Sequence, residues 1–380
     1  MRNILYIANA RIPTEKAHGL QIINMCESFA NSGVQVKLIL PTRINKNYKD
    51  SNPFDFYSVK NNFEILKLKS IDPTFVLKIT KGGVYIKIQS FFFAISLFFY
   101  LLFNKIDGYT LYTRESYLLP LLQFFSKNVV LEIHDIPSKA SFYLKYWKNC
   151  QKIITISQGL KNKLIELGVD KDKIYNAPDG VKLEKFDIND DKVEARKKLN
   201  LPVDKKIIIY TGHLYDWKGT QVLADASKFL NNNSLIIFIG GTSQDIKNFK
   251  EKNKDLKNVS ILGRKDHGQI PLFLKASDVL VLPNSAKKEI SSLYTSPIKL
   301  FEYMASKRPI VASSLPSIKE ILNDSNSVLV SPDSPESLAQ GLSKILSDEV
   351  FSNSISTKSF DQVRNYTWKK RAENILNFIN

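Results

Sequence analysis

Short runs of apolar, β-branched residues alternate along this chain with longer segments of helical period, and the alternation starts twice. In the first half NILYIA (3–8) leads into the helix-period QIINMCESFANSG (21–33). QVKLIL (35–40), FEILKLK from Phe63, YTLYT (109–113) and VVLEI (129–133) follow as further strands. The second half opens on IIIYTG (207–212) and a helix near 219–230, then runs through LIIFIG (235–240), VSILG (259–263), DVLVLP (278–283), PIVAS (309–313) and SVLV (327–330). Apolar strands separated by helices specify parallel sheets covered on both faces. The expected fold class is therefore α/β, with two Rossmann-like, doubly wound domains facing each other across a cleft. The expected boundaries are a first domain at 1–184, a charged linker at 185–206 containing DINDDKVEARKKLNLPVDKK, and a second domain at 207–360. A final helix at 361–380, carrying WKKRAENILNFI, is expected to cross back to the first domain. Ligands of open parallel sheets sit outside the carboxyl ends of the strands, so the loops there are where chemistry is sought.

The chain has 380 residues, enough for two domains. Its 54 Lys+Arg against 37 Asp+Glu give a formal charge of +17, which points to an anionic partner. Lys far outnumbers Arg and no compact Arg-rich run occurs, which argues against nucleic acid. Cys26 and Cys150 stand far apart without a CxxC, so neither a disulfide framework nor a zinc site is expected, and a reducing cytoplasm fits. MRNILYIANARIP reads as a strand running into a loop rather than as a signal peptide. FFFAISLFFYLLF (91–103), flanked by Lys87 and Lys105, is shorter than the roughly 20 residues a spanning helix needs. It reads either as a buried helix of the first domain or as a helix in a membrane interface, the latter supported by Lys67, Lys69, Lys78 and Lys81.

YTGHLYDWKGT (210–220) ends a strand at Gly212, and Lys218-Gly219 then opens a helix. The free N–H groups of such a helix favour an anion, and Lys218 adds a full charge beside them. Lys precedes Gly, so this is no Walker A loop, and neither first strand is followed by GxGxxG. Before TSPIKLFEYMASKRPIVAS lies a loop of about thirteen residues, long enough to suggest function. There Ser296 is expected as N-cap and Pro297 as first helical residue, leaving the Ile298 and Lys299 N–H groups to meet an anion. Glu302 is expected at the border of that helix's apolar stripe, where a carboxylate can accept two ribose hydroxyls. A surface Lys and a paired surface Glu are the competing readings. His134 and Asp135 follow the strand in LEIHDIP, His18 and Gly19 open the first helix in EKAHGLQ, and Arg114 and Glu115 sit in YTRES. His134 is read as a loop histidine or as a neutral imidazole on a substrate hydroxyl. Gly19 is read as a place where backbone approaches a ligand. HExxH, GxSxG and the protein kinase motif set are absent, and nothing in the sequence asks for a metal or a cofactor.

Taken together and in order, EIHD, IITISQGLKNKL, YNAPDGVKLEKF, TGHLYDWKGT, ASDVLVLPNS and TSPIKLFEYMASKRPIVAS resemble the retaining glycosyltransferases of family 4, which have the GT-B fold. The resemblance spans nearly the whole chain. It implies a nucleotide-diphosphate sugar as donor substrate, with Lys218 on the diphosphate, Glu302 on the ribose, and His134 on the donor sugar or acceptor. Gly19, Gly212, His213, Arg264, Tyr294, Ser296, Pro297, Ile298 and Lys299 complete the donor assignment, Gly263 and Arg264 flanking the base. His18, Arg114, Glu115 and Asp135 are assigned to the acceptor. Two departures stand out: Tyr294 occupies the first position of the family's paired glutamates, eight residues before Glu302, and His213 stands where an Arg is often found. Glu289 does not have the spacing to replace the missing carboxylate. The implied activity is retaining, metal-independent transfer of a sugar to a glycan or lipid-linked acceptor in bacterial surface polysaccharide synthesis. Domain closure would exclude water from that reaction. The expected location is cytoplasmic and peripheral on the inner face of the membrane. The rival readings are a GT-B nucleotide-sugar epimerase and a non-catalytic basic protein that binds membrane or nucleic acid.

Overall fold

The central strands are apolar and buried along nearly their whole length, the four edge strands only partly, and among the described residues every pairing is parallel. The computed structural model describes residues 3–43, 45, 48–74 and 82–380, so Lys78 and Lys81 lie outside the described residues. In the first unit β1 (Asn3–Ile7), β2 (Val36–Pro41), β3 (Glu64–Leu68), β4 (Tyr109–Thr113), β5 (Val129–Ile133), β6 (Lys152–Thr155) and β7 (Ile174–Asn176) make one sheet in the order β3-β2-β1-β4-β5-β6-β7. In the second unit β8 (Lys206–Thr211), β9 (Ser234–Ile239), β10 (Val259–Gly263), β11 (Val279–Leu282), β12 (Ile310–Ser313) and β13 (Val328–Val330) are ordered β10-β9-β8-β11-β12-β13. Both orders reverse beside their first strand, so each sheet has a switch point, at β1/β4 and at β8/β11, where loops splay apart and leave room for a ligand. These are the two doubly wound sheets of a GT-B fold. β6 and β7 went unread in the sequence; they have four and three residues.

The units are Met1–Ile156, Leu160–Ala177 and Trp368–Asn380 on one side, and Ser157–Gly159 with Pro178–Thr367 on the other. The stretch expected as a charged linker is packed into the second unit. Its helix Lys192–Lys198 starts on a capping box between Asp191 and Glu194. Arg196, 2% exposed, donates Nη2 to Asp278 at 2.6 Å, Nε to the Ala276 carbonyl and Nη1 to the Val203 and Lys205 carbonyls. A buried guanidinium satisfied in this way ties the segment down. The return to the first unit starts at Trp368 rather than at 361, because Glu349–Val363 is a separate helix of the second unit.

The apolar stretch at 91–103 is the C-terminal part of a longer helix, Gly82–Phe103, of 22 residues. Tyr85, Gln89, Phe93, Leu97 and Leu101 on one face are buried, while Phe91, Ile95, Phe99, Leu102 and Phe103 are exposed. It is thus only half a core helix. Among the described residues it is the one helix long and apolar enough to cross a membrane by length and composition.

Candidate functional site

In the second unit the site grows from the loops after β8 and β11. Gly212 leaves β8 at φ 129°, and Gly240 after β9 has its missing Cβ space taken by the Gly212 carbonyl, 2.3 Å away. Only glycine lets the two loops approach so closely. A 3-10 turn at Asp216–Lys218 then ends on Gly219, φ 69°, where a Cβ would stand 1.7 Å from the Pro283 carbonyl. That contact locks the Lys218 turn against the end of β11. The Trp217 carbonyl reinforces it by accepting from Ser285 N–H at 3.1 Å and Ser291 Oγ at 3.2 Å. The ammonium of Lys218 lies 3.8 Å from the Trp217 ring centroid, and burial draws it down to about 8.

Lys299 comes from the helix Ile298–Ala305. Its ammonium lies 3.8 Å from the Tyr210 ring centroid and, among the described residues, is buried without a hydrogen-bond partner. Burial, then the positive charge of Lys218, push it well below the ordinary lysine range, against the pull of Glu302. One turn on, Glu302 is 7% exposed, with its Oε1 3.0 Å from His267 Nε2. Tyr303 Oη accepts from Thr211 N–H at 2.8 Å, pinning this helix to the end of β8. Two desolvated cations, free N–H groups in the first helical turn and a buried carboxylate thus share one corner of the unit. Two like charges out of water, offset only in part by Glu302, form an unfavourable arrangement that a polyanion relieves.

In the first unit the centre is Glu132, fully buried on β5. It accepts from Gln21 Nε2, Tyr112 Oη, His134 Nε2 at 2.6 Å and Arg371 Nη1 at 3.2 Å. Burial alone would raise its carboxyl, but Arg371, His134 and Arg114 together hold it well below the usual range. Glu132 is therefore an acceptor only, so His134 must carry its proton on Nε2 and present a lone pair on Nδ1. Burial, then Arg114, bring His134 down to about 4, and burial with Arg114 does the same to His18, so both imidazoles are neutral at ordinary pH. Arg114 reaches Gln21 Oε1, and Glu115 Oε1 accepts from Asn9 N–H at 3.2 Å.

Seven of the sequence-read residues fall in these two clusters: Gly212, Lys218, Lys299 and Glu302 in one, His18, Arg114 and His134 in the other. Several details differ from expectation. Pro297, with ψ 120°, is itself the N-cap; Ser296 Oγ instead accepts from Asp179 N–H at 2.9 Å, so the helix starts at Ile298. Glu302 is buried rather than at a stripe border, because its helix is covered on nearly all sides. Gly19 does not open space for a ligand: a Cβ there would lie 2.4 Å from Tyr57 Oη and 2.5 Å from Thr14 Cγ2, and its N–H is used by the Lys16 carbonyl. The long loop contains a short helix, Glu289–Ser292, which places Glu289 Oε2 3.4 Å from Tyr294 Oη despite the spacing. His213 stacks on Tyr215 with centroids 4.8 Å apart, Asp135 accepts from Ile136 N–H, and Arg264 is an exposed residue just past β10. Sequence reasoning missed Glu132, Arg371, His267 and the side chain of Lys299. Two signals were available: a carboxylate inside the five-residue core strand VVLEI, and an arginine within the apolar stripe of the last helix. Among the described residues no group of three or more His, Cys, Asp or Glu could hold a metal ion.

Residues 191–362 match the family described as Glycosyl transferases group 1. An uncharacterized glycosyltransferase of Methanocaldococcus jannaschii is 29% identical over 250 residues, 62% of this chain and 61% of that protein. A UDP-Gal:alpha-D-GlcNAc-diphosphoundecaprenol alpha-1,3-galactosyltransferase of Escherichia coli is 29% identical over 196 residues, 49% of this chain and 48% of that protein. The chain thus spans less than two thirds of the length of these curated relatives. The crystal structure of Anabaena HepE in complex with UDP superposes with a TM-score of 0.74 at 15% identity, covering 99% of this chain and 98% of that one.

Proposed function

From a chain whose residues 191–362 match the glycosyl transferases group 1 family and whose fold is GT-B, we propose that the protein transfers a sugar from a nucleoside diphosphate donor to a glycan or lipid-linked glycan, in the assembly of a bacterial surface polysaccharide. The observation that carries the reading is the pair Lys218 and Lys299, held in one corner with the Lys299 ammonium over the Tyr210 ring and, among the described residues, without a hydrogen-bond partner. The donor diphosphate supplies further negative charge, and Glu302 takes the ribose hydroxyls. The names of the E. coli relative and of the UDP-bound Anabaena structure agree with a uridine nucleotide and a lipid diphosphate acceptor.

In this mechanism the bond from the anomeric carbon to the diphosphate oxygen breaks, and negative charge grows on the leaving diphosphate. Lys218, Lys299 and the first N–H groups of Ile298–Ala305 stabilise that charge more than they stabilise the intact donor. The acceptor hydroxyl forms the new bond on the same face, and its proton passes to a leaving phosphate oxygen. No protein base is required on this route, and the configuration is retained. The cations and helix N–H groups take the place a metal has in other transferases. His134 Nδ1 accepts from a sugar hydroxyl, while His18, Arg114, Glu115 and Asp135 attend the acceptor. Such a reaction would take place at the cytoplasmic face of the membrane.

The test is a thermal-shift screen against UDP, GDP, ADP and CMP with their sugar conjugates, alongside Lys218→Ala. One nucleoside diphosphate should raise the melting temperature of the wild type and leave the variant unmoved. Turnover of the variant should fall by about one to three orders of magnitude. A wild type indifferent to every nucleotide would overturn the reading.

A further inference from the structure

We infer that the Gly82–Phe103 helix lies in the plane of an anionic membrane surface, with its outer stripe sunk among the lipids. It thereby holds the candidate acceptor residues of the first unit against that surface, which makes the acceptor a membrane-anchored amphiphile. Only this last clause rests on the proposed function.

Phe91, Ile95, Phe99 and Leu102 recur at helical spacing, and Phe103 adjoins them. Their exposures of 60%, 38%, 51%, 51% and 77% make a continuous apolar face along several turns, and Phe124 at 78% lies on the neighbouring helix Leu119–Phe125. A soluble surface rarely leaves so much contiguous apolar area in water. The helix has the length to span a bilayer, but its opposite face excludes that. Tyr85, Phe93, Leu97 and Leu101 are buried against the unit, and a spanning orientation would pull them out of its core. One face in protein and one in lipid is the geometry of an interfacial helix.

Charge selects lipid over a second copy of the chain. Exposed Lys87 sits on the stripe itself, between Val84 and Phe91, and Lys105 stands just beyond the helix end. Lys67 and Lys69 edge it from β3, where Ser96 Oγ donates to the Lys69 carbonyl at 2.6 Å, and Lys127 follows Phe124. A second copy laid on this face would set lysine against lysine. Anionic head groups pair with those lysines, whose stems can lie along the lipid while the ammonium groups stay wet. The inner face leads to the site: Asn9 Nδ2 donates to Ser90 Oγ at 3.0 Å, and the N–H of the same Asn9 donates to Glu115. The acceptor cluster is thus separated from the stripe by the thickness of one helix.

The test floats the full chain with vesicles of phosphatidylcholine alone and of phosphatidylcholine mixed with phosphatidylglycerol. The wild type should associate with the mixed vesicles. The combined variant Phe91→Ser, Phe99→Ser, Phe103→Ser should lower the partition coefficient by at least about tenfold while keeping its circular dichroism spectrum and any nucleotide-induced thermal shift. In Phe99→Trp, the new fluorescence should be quenched by brominated lipid tails. Equal binding by the triple variant would overturn the inference in favour of lysine attraction alone. A wild type that ignores vesicles but dimerises through the stripe, and becomes monomeric in the triple variant, would assign the face to a second copy. Flotation without any nucleotide response would leave the helix assignment standing and remove the proposed function; the converse would do the opposite.

Discussion

Lys218 turns a structural oddity into a measurable pH dependence. Burial lowers it from 10.5 to about 8, so between those values the unfolded chain holds a proton that the folded chain does not. The lysine's contribution is least favourable below pH 8, where both states are protonated, and the deficit is relieved as pH rises toward 10.5. Lys218→Met should therefore melt at a higher temperature than the wild type at pH 7 in the absence of ligand, with the gap closing at high pH. Anion binding has the opposite sign. The bound state requires the protonated amine, so affinity for a nucleoside diphosphate should fall above about pH 8 by up to tenfold per unit, as isothermal titration at a series of pH values would show. A flat profile would mean that Lys218 does not meet the anion. Lys218 and Glu302 were legible because each lies near a strand-end loop of a recognisable type. The Lys299 side chain was not, since spacing along the chain exposes only its N–H. His267, 35 positions before Glu302 and in the 3-10 turn His267–Gln269 after β10, meets it only through the tertiary fold.

The C-terminal helix Trp368–Ile379 shows how one element can set the chemistry of another. Trp368, Arg371, Ala372, Ile375, Leu376 and Ile379 form its buried face, so Arg371 enters the core at an apolar position. There its Nε is held by the Ala177 carbonyl at 3.1 Å and its Nη1 by Glu132. Arg371→Met would leave Glu132 with its largest opposing charge removed in a dry site. Destabilisation of about 3–5 kcal/mol is expected by urea denaturation, with partial recovery when Glu132→Gln is added. Recovery identifies the uncompensated charge as the cause; equal loss in both variants would point to packing alone. The long strands and this helix could be read from periodicity because buried parallel strands and amphipathic helices leave clear patterns. β6 and β7 are too short to do so, and Glu132 was hidden because a residue inside an apolar run reads as part of the strand rather than as the hub of a network.

The whole molecule uses one sheet plan twice, and the two restarts were plain in the sequence. The plans are closed differently, as the expected return of the final helix to the first domain implies, and only its start at Trp368 could not be read. The second unit, apart from Ser157–Gly159, is one continuous stretch, whereas the first is completed only by Trp368–Asn380. The strands of the first unit can therefore pair before the chain ends, but Glu132 has no Arg371 until the last helix docks on Ala17–Asn31. Deleting residues 368–380 should consequently act on one unit and spare the other. It removes a buried apolar face and the guanidinium that compensates Glu132, while Lys218, Lys299 and Glu302 keep every neighbour described for them. In the shortened chain, amide hydrogen exchange in β4 and β5 should accelerate toward the unprotected rate, while β8 and β11 stay protected and a nucleoside diphosphate still slows their exchange. Uniform loss of protection across both sheets would show that the second unit depends on the first for its folding. Unchanged protection in β5 would show that the Glu132 cluster tolerates the loss of Arg371.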